Sequence, residues 1–181
     1  SIIKELQLDK DLYKVKQIRS RMSSFKNSLI TVRAYYNNPE LVEADRESKR
    51  PEMGSIYKEY VDRCFKAGAM DFDDLLLKTN ELLNRFPDVL AKYQERFRYI
   101  LVDEYQDTNH SQYLIVRALA DRYQNVCVVG DDAQSIYAFR GANIQNILNF
   151  QRDYEDVAVY RLEQNYRSSK TIVQAANAVI A

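Results

Sequence analysis

The sequence predicts an α/β fold in which an all-helical unit precedes a parallel sheet. Two observations support this class. From residue 1 to about residue 95, apolar residues recur at helical spacing without sustained period-two alternation. Beyond that point, short apolar runs ending in polar clusters alternate with helical segments, an order typical of a parallel sheet.

The helical unit divides at turn signals into two stretches. Apolar positions from Leu12 to Val32 predict the first. A break at Asn37 to Pro39 and a polar tract from Asp45 to Pro51 separate it from the second, Ile56 to Ala67, which ends at Gly68. The unit therefore contains several helices rather than one.

A further helix is predicted to begin at Asp71 and to continue until Pro87. Asp71 has the character of an N-cap, and Asp74 occupies the capping-box position, with Asp in place of the usual Glu or Gln.

Three apolar runs predict strands of the buried type: Tyr99 to Val102, Val126 to Val129 and Val157 to Leu162. Helical segments from Ser111 to Tyr123 and from Asn143 to Phe150 lie between them. Parallel sheets bind ligands beyond the carboxyl ends of their strands, which is where the polar clusters lie.

Composition indicates a soluble globular protein, with 46% hydrophobic and 29% charged residues among 181. Without a signal peptide or an apolar run of roughly 18 residues, the chain is expected to be cytoplasmic and without membrane contact. Cys64 and Cys127 lack metal or redox spacing and are expected to be reduced and buried.

Total charge is balanced, at 26 basic and 26 acidic residues, but the chain up to Arg33 holds eight basic residues against three acidic ones. Such an excess suits a phosphate backbone, and it equally suits a solvated helix face. The chain opens on Ser1 and ends in an apolar helical run, Ile172 to Ala181. We therefore expect an internal fragment of a longer protein.

The first polar cluster places two carboxylates, Asp103 and Glu104, at the end of a predicted strand. One carboxylate can hold Mg²⁺ while its neighbour orients an attacking water. Acidic pairs also follow strands simply because they are soluble or cap the next helix.

The second cluster lies between two glycines and contains Gln134, Tyr137, Phe139 and Arg140. An amide can hydrogen-bond a phosphate, aromatic rings can stack on unpaired bases, and arginine serves either ligand. The alternative is that both rings are core residues and the arginine is a surface charge.

The third cluster contains Tyr166 and Arg167, followed by Ser168 or Ser169 as the cap of a helix. A tyrosine ring can stack on a purine, and a guanidinium can stabilise charge on a γ-phosphate.

Together these strings closely resemble the UvrD/Rep/PcrA family of superfamily 1 helicases. Leu101 to Asn109 resembles motif II, Val129 to Ala142 motif III, and Leu162 to Ser169 motif IV. Asp71 to Leu76 is similar to the segment that leads into motif II. Residues 1–67 fit the family's helical insertion by position and helical character.

The resemblance implies ATP and Mg²⁺ as cofactors of an ATP-dependent DNA helicase. Asp103 would coordinate Mg²⁺, Glu104 would activate the hydrolytic water, and Gln134 would sense the γ-phosphate. Tyr166 would stack on adenine, and Arg167 would contact the γ-phosphate.

The resemblance also implies single-stranded DNA and its junctions with duplex DNA as partners, and gives no protein partner. Tyr137 would stack on bases, with Phe139 where many relatives have tryptophan, and Arg140 would link the DNA contact to the nucleotide site. Gln106 and Asp107 receive supporting roles only.

The fold implied is part of a RecA-like P-loop NTPase core. Residues 1–95 would be the helical insertion subdomain, 96–155 part of the first motor lobe, and 156–181 the start of the second. The family translocates 3′ to 5′, a direction that these residues do not themselves encode.

The phosphate-cradling loop Gly-x-x-x-x-Gly-Lys-Ser/Thr is absent, because none of the four glycines precedes a lysine. The chain itself is therefore expected to be inactive as an ATPase. Two alternatives stay open for the parent: the motor of a RecB or AddA-like helicase-nuclease, and a degenerate DNA-binding homologue without ATPase activity. The helical unit is alternatively a protein-interaction module.

Overall fold

A computed structural model describes residues 1–131, 145–154 and 156–180. These ranges are mostly helical and include one parallel two-stranded sheet. The helices before the sheet are α1 (Ile2–Glu5), α2 (Val15–Asn27), α3 (Val32–Tyr36), α4 (Pro39–Glu47), α5 (Met53–Lys66), α6 (Phe72–Arg85) and α7 (Pro87–Arg96). They are followed by β1 (Ile100–Val102), a 3₁₀ turn (Tyr105–Asp107), α8 (His110–Ala120), β2 (Val126–Val128), α9 (Gln145–Leu148), α10 (Phe150–Asp153) and α11 (Lys170–Ile180). None of the described helices has both the length and the apolar character of a membrane span.

The helices before the sheet enclose an aromatic core. The ring of Phe25 in α2 lies 5.1 Å from that of Tyr35 in α3 and 5.6 Å from that of Tyr57 in α5. The Tyr57 hydroxyl donates to the Ile30 carbonyl oxygen at 2.9 Å, so its one polar atom is satisfied inside the core. Aliphatic side chains complete this core, among them Ile3, Ile18, Met22, Met53 and Ile56. The helices predicted before the sheet are therefore present, and they share a core.

Helix α6 begins with the predicted capping box. The Asp74 backbone N–H donates to Asp71 Oδ1 at 2.8 Å, and the Asp71 backbone N–H donates to Asp74 Oδ2 at 3.2 Å. The shorter carboxylate at the third position therefore reaches the cap as Glu normally does. Because α6 packs on α2, α7 and α8, it joins the helical core to the segment that contains the sheet.

Strands β1 and β2 are parallel neighbours, and α8 forms the crossover between them. Ile100 lies opposite Val126, and Val102 lies opposite Val128. Both carboxyl ends therefore meet at one edge, as the sequence predicted. The expected burial of the strands is wrong at their centre, because Leu101 is 78% exposed. Alternate side chains of a strand point to opposite faces, and this face is open.

The two cysteines are more exposed than the sequence predicted. Both are free thiols, but Cys127 is exposed and Cys64 is only half-buried. Cys127 is the central residue of β2 and projects from the same open face as its register partner Leu101.

The third predicted strand, Val157 to Leu162, is not a strand in the structure. A strand is stabilised by a hydrogen-bonded partner, and no other described strand pairs with this segment. The side chains of Val159 and Tyr160 are exposed there. The helix predicted up to Phe150 is seen from Gln145 onward as two short helices, α9 and α10.

Candidate nucleotide site at the strand ends

The acid pair lies directly after β1 with both side chains exposed. The Glu104 backbone N–H donates to Asp103 Oδ1 at 2.9 Å, and no hydrogen bond within the described residues engages Asp103 Oδ2. Glu104 has a left-handed backbone, with φ 49° and ψ 42°. This conformation is unfavourable for a residue with a Cβ and is concentrated at functional sites. The chain therefore turns sharply at the residue predicted to act as the base.

The Glu104 carboxylate is held by Gln106, whose amide is 1% exposed. Gln106 Nε2 donates to Glu104 Oε2 at 2.8 Å, and Gln106 Oε1 accepts the Asp131 backbone N–H at 3.1 Å. One buried amide thus connects the end of β1 to the chain that follows β2. The sequence indicated only a supporting role for Gln106, because an amide two residues from an acid pair does not reveal its partners.

Further contacts fix the loop after β1 to the chain on both sides of residues 132–144. The Tyr105 backbone N–H donates to the Val129 carbonyl oxygen at 2.9 Å. Asn146 Nδ2 lies 3.0 Å from the Thr108 carbonyl oxygen and 3.1 Å from Thr108 Oγ1. The ring of Tyr105 also lies edge-on to Phe150, with centroids 5.8 Å apart.

The same loop is tied to the helical unit through α8. Asn109 caps α8 in a second capping box with Gln112. Asn109 Nδ2 donates to Asn27 Oδ1 at 2.8 Å, and Asn27 Nδ2 donates to Asp73 Oδ1 at 2.8 Å. Asn80 Nδ2 in α6 donates to Ser111 Oγ at 2.8 Å. Polar side chains of the helical unit thus position the first turn of α8.

Lys26 lies buried next to this contact, with 1% of its surface exposed. Its Nζ is 2.7 Å from Asp71 Oδ2 and 2.9 Å from Asp74 Oδ1, and the Tyr60 hydroxyl donates to Asp71 Oδ2 at 2.8 Å. Both readings of the basic stretch, a phosphate-binding face and a solvated face, are therefore wrong for Lys26. The two carboxylates that neutralise it are distant in sequence.

Asp71 has a lowered pKa as a result. Burial alone would raise the pKa of this carboxyl, but hydrogen bonds from Lys26, the Asp74 backbone N–H and Tyr60 outweigh burial. The carboxylate form is thus favoured in the folded protein.

The remaining predicted site residues fall into two groups. Gln134, Tyr137, Phe139 and Arg140 lie outside the described residues. Tyr166 and Arg167 precede α11 and are exposed, Tyr166 to 92%. In the described ranges no hydrogen bond or ion pair joins either of these two to the acid pair.

The turn before α11 is organised by a residue that the sequence reasoning did not select. Asn165 Oδ1 accepts the backbone N–H groups of Arg167 at 3.0 Å and Ser168 at 2.9 Å. The asparagine side chain thus makes the turn, an ability that its residue type indicates.

The Asp103 carboxylate is a suitable ligand for Mg²⁺. Mg²⁺ is commonly held by one or two carboxylates together with substrate phosphates and water, rather than by a cage of side chains. Asp103 offers an exposed carboxylate of that kind, and the described residues contain no cluster of three or more His, Cys, Asp or Glu side chains that could hold a metal.

Residues 1–155 match the model of the UvrD/REP helicase N-terminal domain. The chain therefore belongs to the UvrD/REP helicase family, which confirms the resemblance carried by the sequence motifs. The match includes residues 1–67, for which the motifs gave only position and helical character.

Three curated relatives extend the comparison. The chain is 45% identical over 185 residues to an ATP-dependent DNA helicase PcrA of Bacillus subtilis, covering 99% of this chain and 23% of that protein. It is 45% identical over 185 residues to an ATP-dependent DNA helicase UvrD1 of Mycobacterium tuberculosis, covering 98% and 24%. It is 43% identical over 180 residues to a PcrA of Staphylococcus aureus, covering 99% and 24%. The chain thus spans about a quarter of the length of these relatives.

Proposed function

We propose that this chain is part of the motor of an ATP-dependent DNA helicase that couples Mg-ATP hydrolysis to 3′ to 5′ translocation on single-stranded DNA. The observation that carries the proposal is the acid pair at the strand end, where Gln106 holds the carboxylate of Glu104. The names of the relatives favour a helicase of the PcrA and UvrD type over a helicase-nuclease. Its proposed substrates are single-stranded DNA and the junctions of single-stranded with duplex DNA. We propose that the protein acts in the cytoplasm.

In this proposal residues 96–155 belong to the first RecA-like lobe, 156–181 begin the second, and residues 1–95 form the helical insertion. The parallel pairing of β1 and β2, with α8 as their crossover, is consistent with a RecA-like sheet. The contacts of α6 with α8 support a helical insertion anchored on the first lobe.

The described residues prepare the site for hydrolysis in two ways. Asp103 would hold Mg²⁺ through its exposed carboxylate, and the bound ion would neutralise charge on the phosphate oxygens. Glu104 would accept a proton from the attacking water, and its hydrogen bond to Gln106 limits the orientations that its carboxylate can adopt.

The other roles rest on sequence. Gln134 would contact the γ-phosphate, and Tyr166 and Arg167 would bind the nucleotide from the second lobe. Tyr137, Phe139 and Arg140 would contact DNA.

Substitution of the proposed base tests this function. In the full-length protein, Glu104→Gln should abolish ATP turnover while ATP binding is retained, because the amide cannot accept the proton but keeps a similar shape. Steady-state hydrolysis and equilibrium binding of ATP measure the two effects separately. Glu43→Gln is the matched control, because Glu43 is an exposed residue of α4 whose carboxylate pairs with Arg46 on the same helix. Hydrolysis at the wild-type rate in Glu104→Gln would exclude Glu104 as the base.

The 181-residue chain alone should show no turnover, because it lacks the glycine-rich loop and its lysine. ATP turnover by the isolated chain would contradict the expectation that the glycine-rich loop is required.

A further inference from the structure

We propose that Gln106 is a positioning residue that orients the Glu104 carboxylate for hydrolysis. The inference rests on the proposed function and extends it to a buried side chain next to the proposed base. Its basis is the pair of hydrogen bonds that Gln106 makes in opposite directions, to Glu104 Oε2 and from the Asp131 backbone N–H.

The backbone of Glu104 is already fixed without Gln106. Its N–H donates to Asp103 Oδ1 at 2.9 Å, and its carbonyl oxygen accepts the Asp107 backbone N–H at 2.9 Å. The Glu104 side chain is nevertheless exposed, and an exposed glutamate samples many rotamers. Among the described residues, the side chain that restrains it by a hydrogen bond is Gln106.

Gln106 suits this task because it is itself immobilised. Its side chain is buried, and the Asp131 N–H determines which end of the amide is the oxygen. Since Oε1 faces this donor, Nε2 necessarily faces Glu104. The amide therefore presents a donor, at a fixed place, to the carboxylate that must point at the attacking water.

A purely structural role for Gln106 would need only the bond to Asp131. Gln106→Glu separates the two roles, because the ionised carboxylate still accepts the Asp131 N–H but offers Glu104 no donor and repels its carboxylate. If Gln106 orients Glu104, this variant should lower kcat by about 10- to 100-fold, since a misplacement of about 1 Å costs up to about 100-fold. KM for ATP should stay the same, because the lost interaction acts on the chemical step.

The matched control is Gln112→Glu, the same chemical change six positions along the chain. Gln112 accepts the Asn109 N–H in the capping box of α8, and Glu is a usual residue at that position. This control should leave kcat and KM unchanged. Gln106→Met, neutral and of similar length, decides the question if a buried carboxylate prevents folding, which circular dichroism would show.

All variants are measured in the full-length protein beside Glu104→Gln. A folded Gln106→Glu or Gln106→Met with kcat within about twofold of wild type, or with a change in KM alone, would overturn the positioning role. If ATP turnover survived in Glu104→Gln, the proposed function itself would be contradicted. If turnover were lost in Glu104→Gln but kept in both Gln106 variants, only the positioning role of Gln106 would be contradicted.

Discussion

Replacing Lys26 by methionine should destabilise the helical unit more than any exposed charge substitution. Methionine preserves most of the apolar stem of lysine and removes the ammonium group. Asp71 and Asp74 would then keep their negative charges at a partly buried position without a cation. The hydrogen bonds that remain, from the Tyr60 hydroxyl and the capping-box N–H groups, replace only part of the solvation that burial removes.

The size of the effect follows from the geometry of the cluster. Removing one partner of a buried ion pair costs about 3 to 5 kcal/mol. Lys26 is almost fully buried, but the Asp71 side chain is 32% exposed, so water screens part of its charge. We therefore expect a loss of about 3 kcal/mol in the free energy of unfolding. In a chain of this size that corresponds to a decrease in Tm of roughly 6 to 12 °C.

Urea unfolding followed by circular dichroism at 222 nm measures this loss directly. Lys58→Met is the matched control, because Lys58 pairs with Asp62 within α5 while both side chains are exposed. Its unfolding curve should overlay that of the wild type. If Lys26→Met unfolded at the same urea concentration as Lys58→Met, the buried cluster would not stabilise the fold as argued.

Three further predictions concern acid stability, helix packing and DNA contact. Asp71 is more acidic when folded than when unfolded, where it titrates near about 3.9. Its contribution is therefore complete above that pH and is lost as pH falls through the lower folded pKa. The difference in unfolding free energy between wild type and Lys26→Met should therefore narrow as the pH falls below about 3.9 in urea titrations, and a constant difference would contradict the lowered pKa. Gly54→Ala should lower the free energy of unfolding by about 1 to 2 kcal/mol, since an added Cβ would lie 2.6 Å from the Tyr35 ring and 2.7 Å from the Tyr36 hydroxyl. Thermal unfolding measures this loss, and an unchanged or higher Tm would show that the two rings move aside. Tyr137→Ala in the full-length protein should weaken single-stranded DNA binding by about 1 to 3 kcal/mol in fluorescence anisotropy titrations. An unchanged affinity would exclude stacking of this ring on DNA and favour the alternative that Tyr137 is a core residue.

Local patterns predicted the helical character of the chain before the sheet and two of the three expected strands. The spacing of apolar residues predicted the helices before the sheet, and Asp71 with Asp74 predicted a capping box that the coordinates show atom by atom. Two strands and their common edge followed from apolar runs ending in carboxylates. Each of these features depends on residues close together in the chain, and sequence spacing reports such features directly.

The predictions that failed depend on distant partners. Lys26 resembled its basic neighbours, and only the fold brings Asp71 and Asp74 to its ammonium group. The run from Val157 to Leu162 has strand-like composition, yet composition provides no neighbour for its backbone. The hydrogen bonds of Gln106 could not be predicted for the same reason, because the Asp131 N–H that fixes its amide belongs to the next strand connection.

Under the proposed function, the left-handed backbone of Glu104 opposes stability to catalysis at a single position. Glycine would adopt φ 49° without steric cost and would relax the turn, but it carries no carboxylate. Any screen that rewards thermostability alone should therefore enrich glycine there, and under the proposed function the recovered variants would be stable proteins without ATP turnover. Libraries of the full-length protein therefore need a turnover selection at that codon.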